Sequence, residues 1–241
     1  MKNIHKSFEE VVALDGVDFE VVDNEVVGLV GDNGAGKSTL IKILSGVFSP
    51  DEGEVFIRGK KVEGRYSVMG AHRLKIETVY QERALGELQT IWRNVFAGRQ
   101  ITNQLGFIRV GKAKAETQKI MTEMMRFTGG GVSPDATVGT LSGGEKQGIA
   151  IGRALYFDAD LIILDEPTIA LSIQETAKVL DFVRAIKREG KSAIYISHNI
   201  YHLYPVCERF VLLDRGRVIG KFQKSEVSQE KLVEEMVKVT S

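Results

Sequence analysis

The order of apolar and polar positions along the 241-residue chain predicts strands that alternate with helices. Short apolar runs are typical of strands buried on both faces of a sheet, whereas spacings of three and four residues are typical of amphipathic helices. Apolar runs that predict strands lie at 25–30, 76–80, 161–164, 192–197, 209–213 and 218–222. Helical patterns lie at 40–44, 67–74, 144–157, 173–189 and 229–239. This alternation predicts an α/β fold with a mainly parallel sheet flanked by helices.

The first thirty residues depart from this alternation. Val17, Phe19 and Val21 alternate with mostly polar neighbours, which is the pattern of a half-buried strand. Asp23-Asn24 then supplies a turn into the next apolar run. We therefore expect an N-terminal antiparallel β subdomain of short strands.

The segment 85–135 departs from it in a different way. Its helical spacing, at 90–97 and 110–127, is followed by a glycine run at 129–131. We expect a helical subdomain inserted at 85–135. The α/β core, together with the antiparallel part, would then occupy 1–84 and 136–241 of one domain that spans 1–241.

One loop carries the strongest chemical signal of the chain. Gly31 to Thr39 fits the phosphate-binding pattern G-x-x-x-x-G-K-[ST], and it lies between an apolar run and a helical pattern. A glycine-rich turn capped by a hydroxyl residue is the alternative, and it explains neither the full match nor the context. Glycines let several backbone N–H groups point at one anion, and the following helix adds its positive dipole end. The residues expected to bind nucleotide phosphates are Asp32, Asn33, Gly34, Ala35, Gly36, Lys37, Ser38 and Thr39.

Two adjacent acids, Asp165 and Glu166, follow the buried run at 161–164. Ligands collect at the carboxyl ends of strands in open α/β sheets. Asp165 is expected to hold Mg²⁺ together with the Ser38 hydroxyl, and Glu166 to polarise the water that attacks the γ-phosphate. Taken alone, two acids after a strand could be a solvated turn. Downstream of a phosphate-binding loop, they predict a hydrolytic site for ATP.

Composition narrows the function classes further. Lys plus Arg and Asp plus Glu both number 32, so the formal net charge is zero and gives no reason to expect nucleic-acid binding. A single cysteine, Cys207, excludes an internal disulfide and fits a reducing compartment. The sequence shows no signal peptide and no apolar stretch of membrane-spanning length. If the protein works at a membrane, another chain must hold it there.

The motif Leu141-Ser142-Gly143-Gly144-Glu145 indicates the family. With it, the chain resembles the ATP-binding-cassette ATPases, whose signature is usually L-S-G-G-Q. The resemblance covers nearly the whole chain. In order, its positions are Phe8 for adenine stacking, the loop at 31–39, Gln81, the signature at 141–145, Asp165-Glu166 and His198.

The resemblance implies a site shared by two chains. Ser142, Gly143 and Gly144 would contact the γ-phosphate of an ATP bound to the phosphate-binding loop of a second ATPase subunit. Glu145 belongs to the same nucleotide-binding motif, and its acid is tolerable there if it points along the helix rather than at the nucleotide. Gln81 would sense Mg²⁺ and the attacking water, and His198 would bind the γ-phosphate and orient Glu166. The implied catalytic residues are Glu166, His198, Gln81 and Lys37, and the implied metal residues are Ser38, Gln81 and Asp165.

Two departures from the family pattern point to one branch. Glu145 stands where the signature usually has Gln, and Ser172 stands where many members carry Asp. Both are similar to the carbohydrate importers, especially the monosaccharide systems of the ribose, xylose and fructose type. The second departure leaves open whether the usual carboxylate contact across the dimer is made.

The phosphate-binding loop is compatible with three functions. The leading one is the ATPase subunit of a sugar importer. It would act as a dimer in the cytoplasm, on the inner face of the membrane, held by transmembrane permease subunits that receive cargo from a substrate-binding protein. A non-transport cassette ATPase acting on the ribosome or DNA is the alternative, but the chain has neither a long coiled-coil insertion nor a second cassette joined by a basic linker. A P-loop kinase would leave the signature unexplained.

Overall fold

A six-stranded sheet forms the core of the protein in a computed structural model that describes residues 1–64, 66–80, 85–124 and 133–240. Its strand order is β11-β10-β3-β9-β8-β7. The strands are β3 (Val26–Val30), β7 (Ile76–Val79), β8 (Leu161–Asp165), β9 (Ser192–Ile196), β10 (Arg209–Asp214) and β11 (Arg217–Gln223). All neighbours pair in parallel except the hairpin of β10 and β11. The predicted mainly parallel α/β fold is confirmed.

Alternate residues of these strands pack on opposite faces of the sheet, as the two-residue period of a strand requires. On β3, Val26 and Val30 join one apolar cluster, whereas Val27 and Leu29 join the other. Since both faces are covered at the centre of the sheet, every residue of β3 and β9 is buried and nearly all of them are apolar. The helices of the core are α1 (Lys37–Leu44), α2 (Val68–Arg73), α5 (Gly143–Tyr156), α6 (Ile173–Arg188), α7 (Ile200–Leu203) and α8 (Gln229–Thr240).

A smaller antiparallel sheet lies at the N-terminus, in the order β2-β1-β4. Its strands are β1 (Lys2–Phe8), β2 (Val11–Val17) and β4 (Glu52–Glu54), and a two-stranded hairpin follows with β5 (Phe56–Ile57) and β6 (Lys60–Lys61). The predicted N-terminal antiparallel β subdomain is confirmed for β1, β2 and β4. The expectation that all of residues 1–30 form antiparallel strands is wrong in two places. Residues 18–22 form no strand, and β3 pairs in parallel with β9 and β10.

The absence of a strand at 18–22 has a physical reason. Phe19 is buried, and among the described residues its backbone N–H and carbonyl bond only to Met1, at 3.2 and 2.9 Å. Burial of alternate side chains therefore produced the strand-like pattern, but no strand in the described part of the chain pairs with residues 18–22 to form a ladder. The apolar alternation reports burial here rather than sheet pairing.

A third apolar cluster underlies the segment after β7. Helices α3 (Ile91–Val95) and α4 (Val110–Lys119), the latter continued by a π-helical turn (Ile120–Met124), contribute most of it, and Val138, Leu141 and Ile149 complete it. The predicted helical spacing at 90–97 and 110–127 is confirmed as far as residue 124. The expected end of the second helix and the glycine run at 129–131 lie outside the described residues. Among the described residues, no helix combines the length and apolar character needed to cross a membrane.

Candidate active site

The parallel pairing brings three loops to one edge of the sheet. The phosphate-binding loop follows β3, Asp165 and Glu166 end β8, and His198 follows β9. Because β3, β9 and β8 are consecutive neighbours in the sheet, their carboxyl ends lie side by side. The sequence patterns alone placed each motif after a strand, and the strand order makes them one site.

Two glycines of the phosphate-binding loop are required because no space is left for a side chain at their positions. A Cβ on Gly31 would lie 2.2 Å from the carbonyl oxygen of Leu213, and one on Gly36 would lie 2.6 Å from that of Ala13. Gly36 also has φ of +102°, which favours glycine, and it caps the N-terminus of α1. The chain therefore curls tightly against β10 and β2, and the N-terminus of α1 opens onto the loop.

Lys37, the first residue of α1, is folded over this loop. Its Nζ donates hydrogen bonds to the carbonyls of Gly31 at 2.7 Å and Asp32 at 2.9 Å. Burial lowers the pKa of the Lys37 ammonium, and the negative charges of Glu166, Asp165 and Asp32 act in the opposite direction. The ammonium is thus positioned among acids at the place where the loop would hold phosphates. Asp32, Asn33, Gly34 and Ser38 are exposed beside it, Gly36 and Thr39 are half-buried, and Ala35 is buried.

Asp165 and Ser38 offer the ligand types that Mg²⁺ prefers. Burial raises the pKa of the Asp165 carboxyl, Glu166 beside it raises it further, and Lys37 opposes both effects. A divalent cation would favour the charged form of such a carboxylate. One carboxylate and one hydroxyl, with water completing the shell, fit magnesium, which keeps several of its waters in proteins. Such an ion would neutralise phosphate charge.

Glu166 is the most tightly held side chain of the site. Its Oε1 accepts hydrogen bonds from the backbone N–H of His198 at 3.1 Å and from the ring Nδ1 at 2.9 Å, and its Oε2 accepts one from the Ser197 hydroxyl at 3.1 Å. Its backbone has φ of +48°, an uncommon conformation for a residue with a side chain. The loop after β9 therefore fixes the direction of the carboxylate. A carboxylate fixed in this way can polarise a water molecule beside a phosphate.

A buried polar network connects the two elements, β9 and α7, that flank the loop carrying His198. The hydroxyl of Thr168 lies 2.9 Å from that of Tyr195 and 3.0 Å from Nδ1 of His202. Burial raises the pKa of Tyr195 and lowers that of His202, so both side chains remain neutral near pH 7. The sequence analysis missed Ser197 and this network, although Ser197 directly precedes His198.

Phe8 lies at the end of β1 and is 40% exposed. Its ring packs edge-on against Phe48, with centroids 5.2 Å apart, and the Lys6 ammonium lies 5.5 Å from its centroid. A partly exposed ring leaves area on which a base could stack. Gln81 lies outside the described residues.

The signature motif follows none of the strands β3, β8 and β9 and lies at the start of α5. Ser142 caps the helix: its hydroxyl accepts from the N–H of Glu145 at 3.3 Å, and the Glu145 carboxylate accepts from the N–H of Ser142 at 2.8 Å. Glu145 is thus turned back onto its own helix. In the part of the chain that the structure describes, no hydrogen bond or ion pair connects residues 142–145 with the phosphate-binding loop.

A second capping box, which sequence reasoning missed, begins α6. Ser172 caps that helix, and its hydroxyl accepts from the N–H of Glu175 at 3.3 Å. The spacing S-x-x-E was visible at both 142–145 and 172–175. The spacing alone does not predict a contact with the signature. The Glu175 carboxylate also reaches α5, where it accepts a hydrogen bond from Gly144 N–H at 3.0 Å.

The fold and the geometry of the edge define a P-loop nucleotide-hydrolase cassette whose signature motif lies away from its own catalytic cluster. Comparison with solved structures agrees. A nucleotide-free ATP-binding cassette from an ABC transporter superposes with a TM-score of 0.82 at 25% identity, covering 100% of this chain and 96% of that chain. A dimeric ATP-binding cassette in a post-hydrolysis state, bound to ADP and Pi, superposes with a TM-score of 0.78 at 26% identity, covering 92% and 97%.

Comparison of sequences specifies the family. The profile of the family described as ABC transporter matches residues 14–169. The chain is 43% identical to the xylose/arabinose import ATP-binding protein of Sulfolobus acidocaldarius, over 98% of this chain and 92% of that protein. It is 38% identical to a fructose import ATP-binding protein of Rhizobium meliloti, over 90% and 84%. The protein belongs to the ABC transporter family, as one of its ATP-hydrolysing subunits.

Some relatives are longer than this chain. A ribose import ATP-binding protein of Caldanaerobacter subterraneus subsp. tengcongensis is 38% identical over 98% of this chain but only 47% of that protein. The chain therefore spans about half the length of the ribose relatives it matches and most of the length of the xylose/arabinose and fructose relatives. The resemblance to cassette ATPases of the monosaccharide-import branch is confirmed.

Proposed function

We propose that two copies of this chain close on two molecules of Mg²⁺-ATP and use its hydrolysis to power the import of a monosaccharide. One observation carries the proposal. The phosphate-binding loop, Asp165, Glu166 and His198 meet within one chain, whereas the signature lies elsewhere on it. A signature supplied by a second copy completes the site. The dimeric solved cassette bound to ADP and Pi supports this pairing.

The residues of one chain divide the chemical work. Lys37 and the N–H groups of the loop bind the phosphates, and Phe8 stacks on adenine. Ser38 and Asp165, together with Gln81, would hold Mg²⁺, and the ion would neutralise charge on the phosphates. Glu166 takes the proton of the attacking water, and His198 holds Glu166 in position while contacting the γ-phosphate.

The second copy contributes the N-terminus of α5. The hydroxyl of Ser142 and the N–H groups of Gly143 and Gly144 bind the γ-phosphate where the helix dipole favours an anion. Glu145, turned back onto its own cap, stays clear of the phosphate. The apolar cluster formed by α3, α4 and the start of α5 supports treating 85–135 as a helical subdomain, and Leu141 of the signature packs against that subdomain.

The partners follow from the names of the relatives. Import ATP-binding proteins for xylose/arabinose, ribose and fructose favour a small neutral sugar as the cargo, delivered to permease subunits by a substrate-binding protein. The permease would hold this chain at the inner face of the membrane, in the cytoplasm. Purification from membranes together with a permease, and not with ribosomes or DNA, tests this assignment.

Complementation of two inactive variants tests the composite site. Ser142→Arg blocks the signature but leaves its own phosphate-binding loop intact, and Lys37→Ala does the reverse. Ser142→Arg alone should bind ATP normally, and each variant alone should hydrolyse almost no ATP. A mixed dimer contains one intact site, so mixing should restore activity. Because coupling between the two sites can limit this gain, the mixture is compared with a covalently linked dimer that carries the same two substitutions.

A further inference from the structure

The signature helix already holds a carboxylate at its N-terminus, and that carboxylate comes from another helix. Oε1 of Glu175, in the first turn of α6, accepts from Gly144 N–H at 3.0 Å. Its Oε2 accepts from the backbone N–H of Ser172 at 3.0 Å and from the Ser172 hydroxyl at 2.9 Å. One side chain therefore bridges the starts of α5 and α6, 31 residues apart in sequence.

The contact is close and electrostatically favourable. A Cβ on Gly144 would lie 3.1 Å from the Cβ and Cγ of Glu175, so the glycine is what allows α5 to approach. The N–H of Gly144, followed by that of Ser172, lowers the pKa of Glu175 to about 2. The carboxylate is therefore charged throughout the physiological range, and its charge lies at the positive end of two helix dipoles.

The same N–H has a second role in the composite site proposed above. Gly144 N–H is one of the donors expected to bind the γ-phosphate of the partner's ATP. A backbone N–H has one hydrogen, and it cannot make a full bond to two anions at once. A phosphate arriving at this helix end also meets the negative charge of Glu175 at short range.

We propose that Glu175 is a positioning residue of the composite site that competes with the partner's γ-phosphate for the N–H of Gly144. Closure of the dimer then requires the carboxylate to release Gly144. The helix α6 keeps its cap, because the contacts of Glu175 with Ser172 are independent of Gly144. This contact sets the ATP concentration at which two chains close, so it opposes dimer formation when ATP is scarce. The inference rests on the composite-site function proposed above.

The test compares two charge-neutral variants in a hydrolysis-deficient background. Glu175→Gln removes the charge, and it keeps an acceptor that satisfies the S-x-x-Q form of the capping box, so α6 should remain folded. Glu189→Gln removes the same charge at the C-terminal cap of α6, about 20 Å away at 1.5 Å per residue. Both are made in Glu166→Gln, and the dissociation constant of the dimer is measured by sedimentation with Mg²⁺-ATP.

Glu175→Gln should lower the dimer dissociation constant about fivefold or more, because a charge-assisted hydrogen bond becomes a neutral one at each of two sites. ATP affinity of the monomer should not change. In the chain with Glu166 intact, half-maximal hydrolysis should need less ATP while kcat changes by less than about twofold. A merely structural role would instead lower kcat or the melting temperature.

One outcome would contradict the role of Glu175, and another would contradict the composite site itself. If Glu175→Gln dimerises no better than Glu189→Gln, Glu175 does not compete for Gly144. If the Glu166→Gln parent fails to dimerise at saturating Mg²⁺-ATP, the composite site itself is wrong, and the inference falls with it.

Discussion

The two ends of the proposed site are built differently. The catalytic end gathers its groups from the carboxyl ends of β3, β8 and β9, which are neighbours in one buried sheet, and the groups after β8 and β9 hydrogen-bond directly to each other. The signature end is a helix N-terminus whose donors are satisfied by Ser142, Glu145 and Glu175 of the same chain. The first end is assembled by folding alone. The second presents a surface that becomes a site only against another chain.

The two ends also differ in how they are packed. The strands that carry the catalytic residues are packed between two apolar clusters, so small displacements are costly. The signature lies where a separate cluster meets the sheet, with Leu141 and Ile149 in that cluster and Ile151 and Ala154 of the same helix in the core cluster. Substitutions at the catalytic end should therefore change chemistry or nucleotide binding within a chain, whereas those at the signature end should change how chains combine.

The largest expected effect at the catalytic end comes from Glu166→Gln. It removes the proton acceptor and leaves the phosphate-binding loop intact, so kcat should fall by about 10²–10⁴ while ATP still binds. Steady-state hydrolysis and equilibrium binding of ATP measure the two quantities. A variant that hydrolyses ATP at the normal rate would remove Glu166 from the role of base.

Lys37→Ala should mainly weaken the binding of ATP. The phosphates lose a charged donor, so ATP affinity measured by calorimetry should fall about tenfold or more. Lys231→Ala, on the exposed face of α8, removes an equal charge and should leave affinity unchanged. Unchanged affinity in the Lys37 variant would mean that this loop does not bind the nucleotide.

Phe8→Ala should raise the ATP concentration for half-maximal rate about tenfold and change kcat less, because stacking on a base contributes about 1–3 kcal/mol to ground and transition states alike. The two parameters are separated by hydrolysis rates over a range of ATP concentrations. A fall in kcat with an unchanged ATP requirement would show that Phe8 only packs against Phe48.

Ser197→Ala should give the smallest of these effects. It removes one of three hydrogen bonds to the Glu166 carboxylate, so kcat should fall about fivefold with little change in the ATP requirement. The hydroxyl also accepts from Asn199 N–H at 3.0 Å, so the melting temperature serves as the control for local damage. A loss of stability without a loss of kcat would assign Ser197 to the fold alone.

The catalytic end was predictable from sequence for a physical reason. Each motif directly follows an apolar run, and parallel strands bring the loops after them to one edge of the sheet, so motifs far apart in sequence were expected to meet there. The strand expected around Phe19 was wrong, since alternation reflects burial and does not require a neighbouring strand. Glu175 was missed because its contact with Gly144 joins two helix ends far apart in sequence. A capping-box pattern predicts the contact of Glu175 with Ser172 but not its contact with Gly144.

The central claim is that one chain cannot complete the site, and the dependence of activity on protein concentration tests it most directly. Specific ATPase activity of the wild-type chain is measured over a dilution series, with the monomer fraction determined by sedimentation under the same conditions. The composite site predicts that specific activity falls toward zero as the chain becomes monomeric, so that the rate per volume varies with the square of concentration. Constant specific activity down to fully monomeric protein would contradict the account, because the signature would then be dispensable for hydrolysis.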